Sequence, residues 1–257
     1  MPVFERLSLL SRVEVAVCEA LGIARLRHRS ALMSLSVPAS VDLPSIVYRT
    51  VARNWAEGGA ATNVNRSSQN WRWMLQPHIG ATNCSPEVVL ERAIAAACLA
   101  EGRDDWANQV PVASGLIAGA ADGRRAIDLA QRRGEQHYEL IELKVATDTP
   151  LYAAVELLGY ASLWLLAREA PPAHAPSLLT ADRIDLRVLA PATFYAPFRL
   201  AGLERSVDTG TRSLGHANGL AITFAFDVLP EGLVKQPARN EALLQTLAKR
   251  RRLHAGD

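Results

Sequence analysis

The run Glu139-Leu-Ile-Glu142-Leu-Lys144-Val-Ala146 decides how the rest of the chain is read. On a strand, residues two apart share a face. Glu142 and Lys144 therefore point one way, while Ile141, Leu143 and Val145 point the other way, into a core. Charges set against a buried strand cost roughly several kcal/mol unless each finds a partner. Upstream, Arg125-Ala-Ile-Asp128-Leu-Ala-Gln131 also has strand character, with Ile127 and Leu129 on one face and Asp128 on the other. Between them Arg132-Arg-Gly-Glu-Gln136 supplies a glycine-bearing turn. Paired as a hairpin, the two strands bring Asp128, Glu142 and Lys144 together near one end. Two carboxylates beside a lysine make an oxygen-rich site for a hard divalent cation. The same Glu142 and Lys144 could instead form an ion pair that only fixes the sheet.

Outward from this hairpin, Ser85 to Ala100 has the grammar of a helix. Ser85 suits the N-cap, Pro86 the first helical position and Gly102 the stop. Glu87 and Glu91 lie four apart on one stripe of it. Glu87 in the first turn suits the helix dipole, whereas Glu91 sits mid-helix amid alanine and leucine. Trp106 to Ala118 reads as a first strand ending in a glycine-rich turn. After the hairpin, Asp148-Thr-Pro150 opens a helix from Leu151 to about Arg168. Arg183 to Ala190 is a strand, residues 198–214 are helical or irregular, and Leu220 to Leu229 reads as the last strand. Glu241 to Arg252 closes the chain as a helix. The order through the middle is helix, strand, strand, strand, helix, strand.

The N-terminal third is less regular. Phe4 to Leu21 has helical periodicity, with Gly22 as a stop, and Ile46 to Trp55 forms a short helix. Residues 58–68 and 171–176 read as loops. Trp71 and Trp73 flank Arg72 in a run that could stack bases but fits rings packed in a core better. The basic segment Ala24-Arg-Leu-Arg-His-Arg-Ser30 could touch phosphate or simply be a solvated face. The expected organisation is a mainly helical extension over residues 1–80, a core over 81–230 and a basic helix or tail over 231–257.

Composition bounds the function. The 257 residues carry a formal charge of only +2, so any nucleic-acid surface must be local. Cys18, Cys84 and Cys98 have no metal-like spacing and read as buried free thiols of a reducing, cytoplasmic compartment. With no Cys-x-x-Cys or His-x-x-x-His pair, zinc is not expected. Glu5 and Arg6 make the N-terminus a poor signal peptide. The longest apolar run, Leu151 to Ala167, contains Glu156 and falls short of the ~20 residues of a membrane span. No Gly-x-Gly-x-x-Gly, phosphate-binding loop or nucleophile elbow is present.

Asp128, then Glu142-x-Lys144, in this element order, resembles the PD-(D/E)xK nuclease superfamily, and Glu156-Leu-Leu-Gly-Tyr160 on the following helix resembles the Gln-x-x-x-Tyr motif of its RecB-like branch. A four-residue step puts Glu156 and Tyr160 on one helical face. Glu156 replaces the family's glutamine, where it would add negative charge or pair with a basic residue. Ile127 stands at the name-giving proline. The resemblance covers roughly residues 81–190. It implies a restriction-endonuclease-like α/β fold with an α-β-β-β-α-β core and a mixed sheet flanked by helices. It further implies a metal-dependent hydrolase of phosphodiester bonds, with DNA preferred to RNA as substrate on family grounds. Asp128, Glu142 and Glu91 (or Glu87) would hold Mg²⁺ or Mn²⁺, Lys144 would orient water or offset charge, and Tyr160 and Glu156 would complete the site. Arg124, Arg125, Arg132 and Arg133, or the run Lys249 to Arg252, would hold nucleic acid. The alternative is a catalytically silent member of the same fold, acting as a nucleic-acid-binding or assembly module. A homodimer or larger assembly stays open, and no membrane partner is expected.

Overall fold

The computed structural model describes residues 8–38, 40–60, 70–112, 125–172, 176–230, 232–235 and 240–254. Residues 4–7, 61–68, 113–118 and 173–175, together with Arg124, were assigned above and lie outside the described residues. Helices α1 (Val13–Leu21), α2 (Arg29–Leu32) and α3 (Leu43–Glu57) come first. Helix α1 begins at Val13 because Arg12 adopts left-handed backbone (φ 64°) and interrupts the helical run, so residues 8–12 form turns rather than the predicted helix. Helix α3 is longer than expected at both ends, since Asp42 Oδ1 accepts the Ser45 N–H and Pro44 fits the first turn. Helix α4 (Pro86–Ala100) starts as predicted, with Ser85 Oγ accepting the Val88 N–H. It ends where Arg103 N–H returns to Cys98 O and Gly102 takes φ 61°.

The strands β1 (Trp106–Pro111), β2 (Ala126–Gly134) and β3 (His137–Leu143) follow, then helix α5 (Pro150–Glu169) capped by Thr149. After these come β4 (Arg183–Pro191), α6 (Ala192–Tyr195), α7 (Ala201–Ala217), β5 (Ala221–Leu229), α8 (Gly232–Lys235), α9 (Asn240–Ala248) and β6 (Arg251–Arg252). The predicted first strand thus ends at Pro111 in its described part, and β3 ends one residue before Lys144.

The described strands form one mixed six-stranded sheet in the order β1-β2-β3-β4-β5-β6. β2 pairs antiparallel with both β1 and β3, the β3–β4 and β4–β5 pairs are parallel, and β6 is antiparallel to β5. The architecture is therefore α/β, with a mixed open sheet and helices on both faces. Leu140, Leu186 and Phe226 face α3, α5 and α7, whereas Ile141, Leu143, Leu189 and Leu229 face α4 and α9. β4 alternates, with Ile184, Leu186 and Val188 on one face and Asp185 and Arg187 on the other, where the two charges are buried as a pair.

Helices α1 and α3 pack into the same apolar cluster as α5 and the sheet. Two glycines set how closely they approach. A Cβ on Gly210 of α7 would stand 2.5 Å from Asp42 Oδ1, at the cap of α3, and one on Gly159 of α5 would stand 3.0 Å from Leu10 Cδ2. Helix α5 is long and apolar enough to cross a membrane by length and composition, but 94% of its apolar window is buried within the fold, so it is the core helix.

Two expectations are corrected. The closing helix stops at Ala248, and Arg251 and Arg252 pair with Val228 and Asp227, so β5 is not the last strand. The driving contact is Arg250, whose guanidinium meets buried Glu139 and Asp227 beneath β4. Cys84 is exposed, whereas Cys18 and Cys98 are buried free thiols as expected. The rings of the Trp71–Trp73 run pack on the core as expected: Trp71 is buried in left-handed backbone (φ 63°), and Trp73 packs edge-on against Tyr138.

Candidate functional site

The hairpin forms with Glu135 and Gln136 at its tip, and its register pairs Arg132 with Tyr138 and Leu129 with Ile141. One position beyond that last pair come Asp128 and Glu142, where β2 and β3 begin to part. The parting leaves the Leu143 N–H without a strand partner on β2, and Asp128 Oδ2 accepts it at 2.9 Å. A side-chain carboxylate here replaces a ladder carbonyl, which fixes the carboxylate in the plane of the sheet. The Asp128 carboxyl adjoins that of Glu142, and its charge disfavours ionisation of Glu142. Burial pushes Asp128 up to about 6, against the pull of Lys144 and the Leu143 N–H. Burial, then Asp128 and Glu156, push Glu142 well above the carboxylate range.

Lys144 lies just past β3, its backbone still tied to Leu189 O. Its ammonium is 2.8 Å from Glu142 Oε1, 3.0 Å from Glu156 Oε2 and 3.8 Å from Asp148 Oδ2. Burial alone would lower its pKa, but Glu142, Glu156 and Asp128 together raise it above the usual lysine range. Glu156 spends its other oxygen on Arg125 Nη1 at 3.4 Å. Tyr160, one turn along α5, is buried, and burial with the nearby Glu142, Glu156 and Asp128 raises its phenol. The second oxygen of Glu142, Oε2, is buried and has no hydrogen-bond partner among the described residues.

The two acids of α4 separate cleanly. Glu87 Oε1 accepts backbone N–H groups of Val145 and Ala146 at 3.1 Å and the Thr147 hydroxyl at 3.2 Å, so it ties down the loop after Lys144. Glu91 is buried and accepts from Asn108 Nδ2 at 2.7 Å and Gln109 Nε2 at 3.0 Å. Burial raises Glu91 to about 7, with Asp128 adding to the push and the two amides opposing it.

Gln109 is the residue that sequence reasoning missed. It lies between the paired positions Asn108–Leu129 and Val110–Ile127, hence opposite Asp128. Its backbone is left-handed (φ 46°) in the middle of a strand, which is strained for a residue with a side chain. Gln76 Nε2 holds the Gln109 carbonyl at 3.4 Å. So held, the Gln109 amide donates to Glu91 and, at 3.5 Å, to Asp128 Oδ1. The polar pair Asn108-Gln109 inside an otherwise apolar strand was the available signal.

The structure thus gathers Glu91, Asp128, Glu142, Lys144, Glu156 and Tyr160, with Arg125 at the edge. Arg132 and Arg133 lie toward the hairpin tip, four residues or more (roughly 13 Å) from Asp128. Arg132 pairs with Asp104 at 3.1 Å and Arg133 donates to Gln131 at 2.9 Å. Arg124 lies outside the described residues. Arg250 is corrected from a nucleic-acid contact to an interior counter-ion, because buried Glu139 and Asp227 require its charge. The donor set Asp128, Glu142 and Glu91 is all oxygen and fits a hard divalent cation, with Glu142 Oε2 as the unclaimed atom. As the side chains stand, no group of three His, Cys, Asp or Glu among the described residues is arranged as a metal cage. Comparison of the chain with protein-family models, with curated proteins and with solved structures returned no match.

Proposed function

We propose that the chain is a metal-dependent nuclease of the PD-(D/E)xK type, with a restriction-endonuclease-like core and DNA as its substrate. The observation that carries the reading is the meeting of Asp128 and Glu142 at the parting of two strands, with Lys144 Nζ 2.8 Å from Glu142. It is supported by the order α4-β1-β2-β3-α5-β4, which follows the helix-strand-strand-strand-helix-strand pattern read from the sequence. The half-buried Asp128 carboxyl beside the buried Glu142 carboxyl is a ready site for a cation, which would relieve their repulsion.

Asp128 and Glu142, with Glu91, would hold Mg²⁺ or Mn²⁺. A cation bound there supplies polarisation of a phosphate oxygen and a more acidic water. Lys144 holds positive charge where the pentavalent phosphate gains negative charge. Glu156 and Asp148 keep that ammonium protonated and aimed. Tyr160 and the α5 face exclude water from the far side, and Gln109 fixes the directions of Glu91 and Asp128. The protein works in a reducing, cytoplasmic setting, in keeping with its free thiols.

One observation favours a second reading, a silent member of this fold that only binds nucleic acid: Glu156 occupies Lys144 and leaves it balanced by carboxylates. Calorimetric titration of Mn²⁺ into the wild type and Asp128→Asn, with cleavage of single- and double-stranded DNA by the same samples, tests both. Binding and cleavage lost together in the variant fit the nuclease. A folded wild type that binds no metal and cuts neither substrate rejects it.

A further inference from the structure

The basic segment 24–30 is docked at the rim of the carboxylate site. Leu26 is fully buried and its carbonyl accepts the Thr149 hydroxyl at 2.7 Å, at the cap of α5. Arg27 Nε is 3.0 Å from Asp148 Oδ1, and its guanidinium lies 3.9 Å above the Tyr152 ring. Asp148 in turn is 3.8 Å from Lys144 Nζ. Two residues on, the Arg29 guanidinium is 5.6 Å from the Phe198 ring, beside exposed Arg199, which lines a hollow with Phe198 and Pro150. On the other side, Arg12 and Arg125 line a cleft of about 230 Å³ with Leu26, Tyr152 and Glu156. Glu156 is the inner wall of that cleft and bonds Lys144 through its other oxygen.

We propose that Arg12, Arg25, Arg27, Arg29 and Arg199 form a surface for the sugar-phosphate backbone of nucleic acid and lead the strand to Lys144. The route to Lys144 rests on the nuclease reading, while the binding does not. An ordinary solvated face would leave long side chains free. Here Leu26 anchors the segment, and Arg27 and Arg29 lie on aromatic rings, which reduces the entropy lost when they grip phosphate. A chain of +2 overall that collects five arginines along one rim, against Glu14, Asp148 and Glu156, has a local positive excess. The arginines are spread along an edge and do not converge on one point. That arrangement suits a polyanion with repeated charges better than a single small anion. Contacts to phosphate alone carry no base readout, so binding is expected to be independent of sequence.

The test is fluorescence anisotropy of the full chain with labelled single-stranded and duplex oligonucleotides, in EDTA, over a salt series. The variant Arg25→Ala/Arg29→Ala/Arg199→Ala is compared with wild type and with Arg103→Ala/Arg212→Ala, a loss of two exposed arginines that pair with Asp105 and Asp208 away from this rim. The triple variant is expected to bind at least roughly tenfold more weakly, with the log–log salt slope reduced by about 2–3, and the double variant to match wild type. Wild-type-like binding by the triple variant, an equal loss in the double variant, or no binding by wild type would each overturn the proposal. Cleavage in Mg²⁺ is scored separately. Loss of binding in the triple variant without any cleavage by wild type would sink the nuclease reading and leave this surface standing.

Discussion

Asp128 and Glu142 lie one step beyond Leu129 and Ile141, the last paired residues of their hairpin, in one charged cluster with Lys144. At that point the sheet stops satisfying its own backbone, and Asp128 takes over the Leu143 N–H. Structure and chemistry are therefore coupled in the same two carboxyl groups, and the first predictions separate them.

Lys144→Met keeps most of the side chain's volume and removes its charge. Cleavage is expected to fall by about 100-fold or more. Glu142 and Glu156 lose their counter-ion, so stability should also fall, by about 3 kcal/mol. Plasmid cleavage and urea unfolding of the same preparation read the two effects. Full stability with full loss of cleavage would show that the ion pair does nothing for the fold.

Glu87→Ala and Glu91→Ala should differ in kind. Glu87 is held below the usual carboxylate range: burial opposes this, and the N–H groups of Ala146, Val145 and Thr147 overcome it. Its loss should lower stability by about 1–3 kcal/mol and speed amide exchange at residues 145–147, with cleavage reduced only modestly. Glu91→Ala should lower Mn²⁺ affinity and cleavage sharply. The reverse pattern would make Glu87 the site acid.

Gln109→Gly relieves the left-handed backbone, a gain of about 1 kcal/mol, and deletes the amide that reaches Glu91 and Asp128. The two effects on stability should nearly cancel. Metal affinity, which depends on how the ligands are aimed, should drop by about 10–100-fold. Unchanged affinity measured by calorimetry would reduce Gln109 to a packing residue.

Asp185 provides a pH test away from the carboxylate pair. Burial raises its pKa, but Arg187, the Thr223 hydroxyl and His137 more than offset this and hold it at about 2, below its usual 3.8. A folded pKa below the unfolded one adds stability above pH 3.8, and this is lost as pH falls toward 2. Wild type should lose about 2 kcal/mol more than Asp185→Asn between pH 4 and pH 2. Parallel unfolding curves for the two proteins across that window would contradict the assignment.

The hairpin, the cap Ser85, the proline that opens α5 and the alternation of β3 were legible because each follows from local rules: period two, a hydroxyl cap, a proline in the first turn. The meeting of Glu91 with Asp128 through Gln109 was not, since it depends on one residue entering left-handed backbone that only Gln76 and the neighbouring strand stabilise. Helix propensity carried the closing helix on to Arg252. Burial of Glu139 and Asp227 pulled Arg250 out of it, an interaction across more than a hundred residues that no local window contains.

The exposed pair Glu135-Gln136 lies at the opposite end of the hairpin from Asp128, roughly 20 Å away at the rise of an extended strand. That makes the tip the natural place to splice in a foreign peptide, such as an epitope or a fluorophore-accepting tag. The Gln136 carbonyl accepts the Asp182 and Arg183 N–H groups, so the extra residues belong before it, at Glu135. A single residue added between Asp128 and Leu129 is another matter. It would turn the carboxylate toward the side of Ile141 and Leu143, leaving a chain that still has its strands and has lost its facing acids.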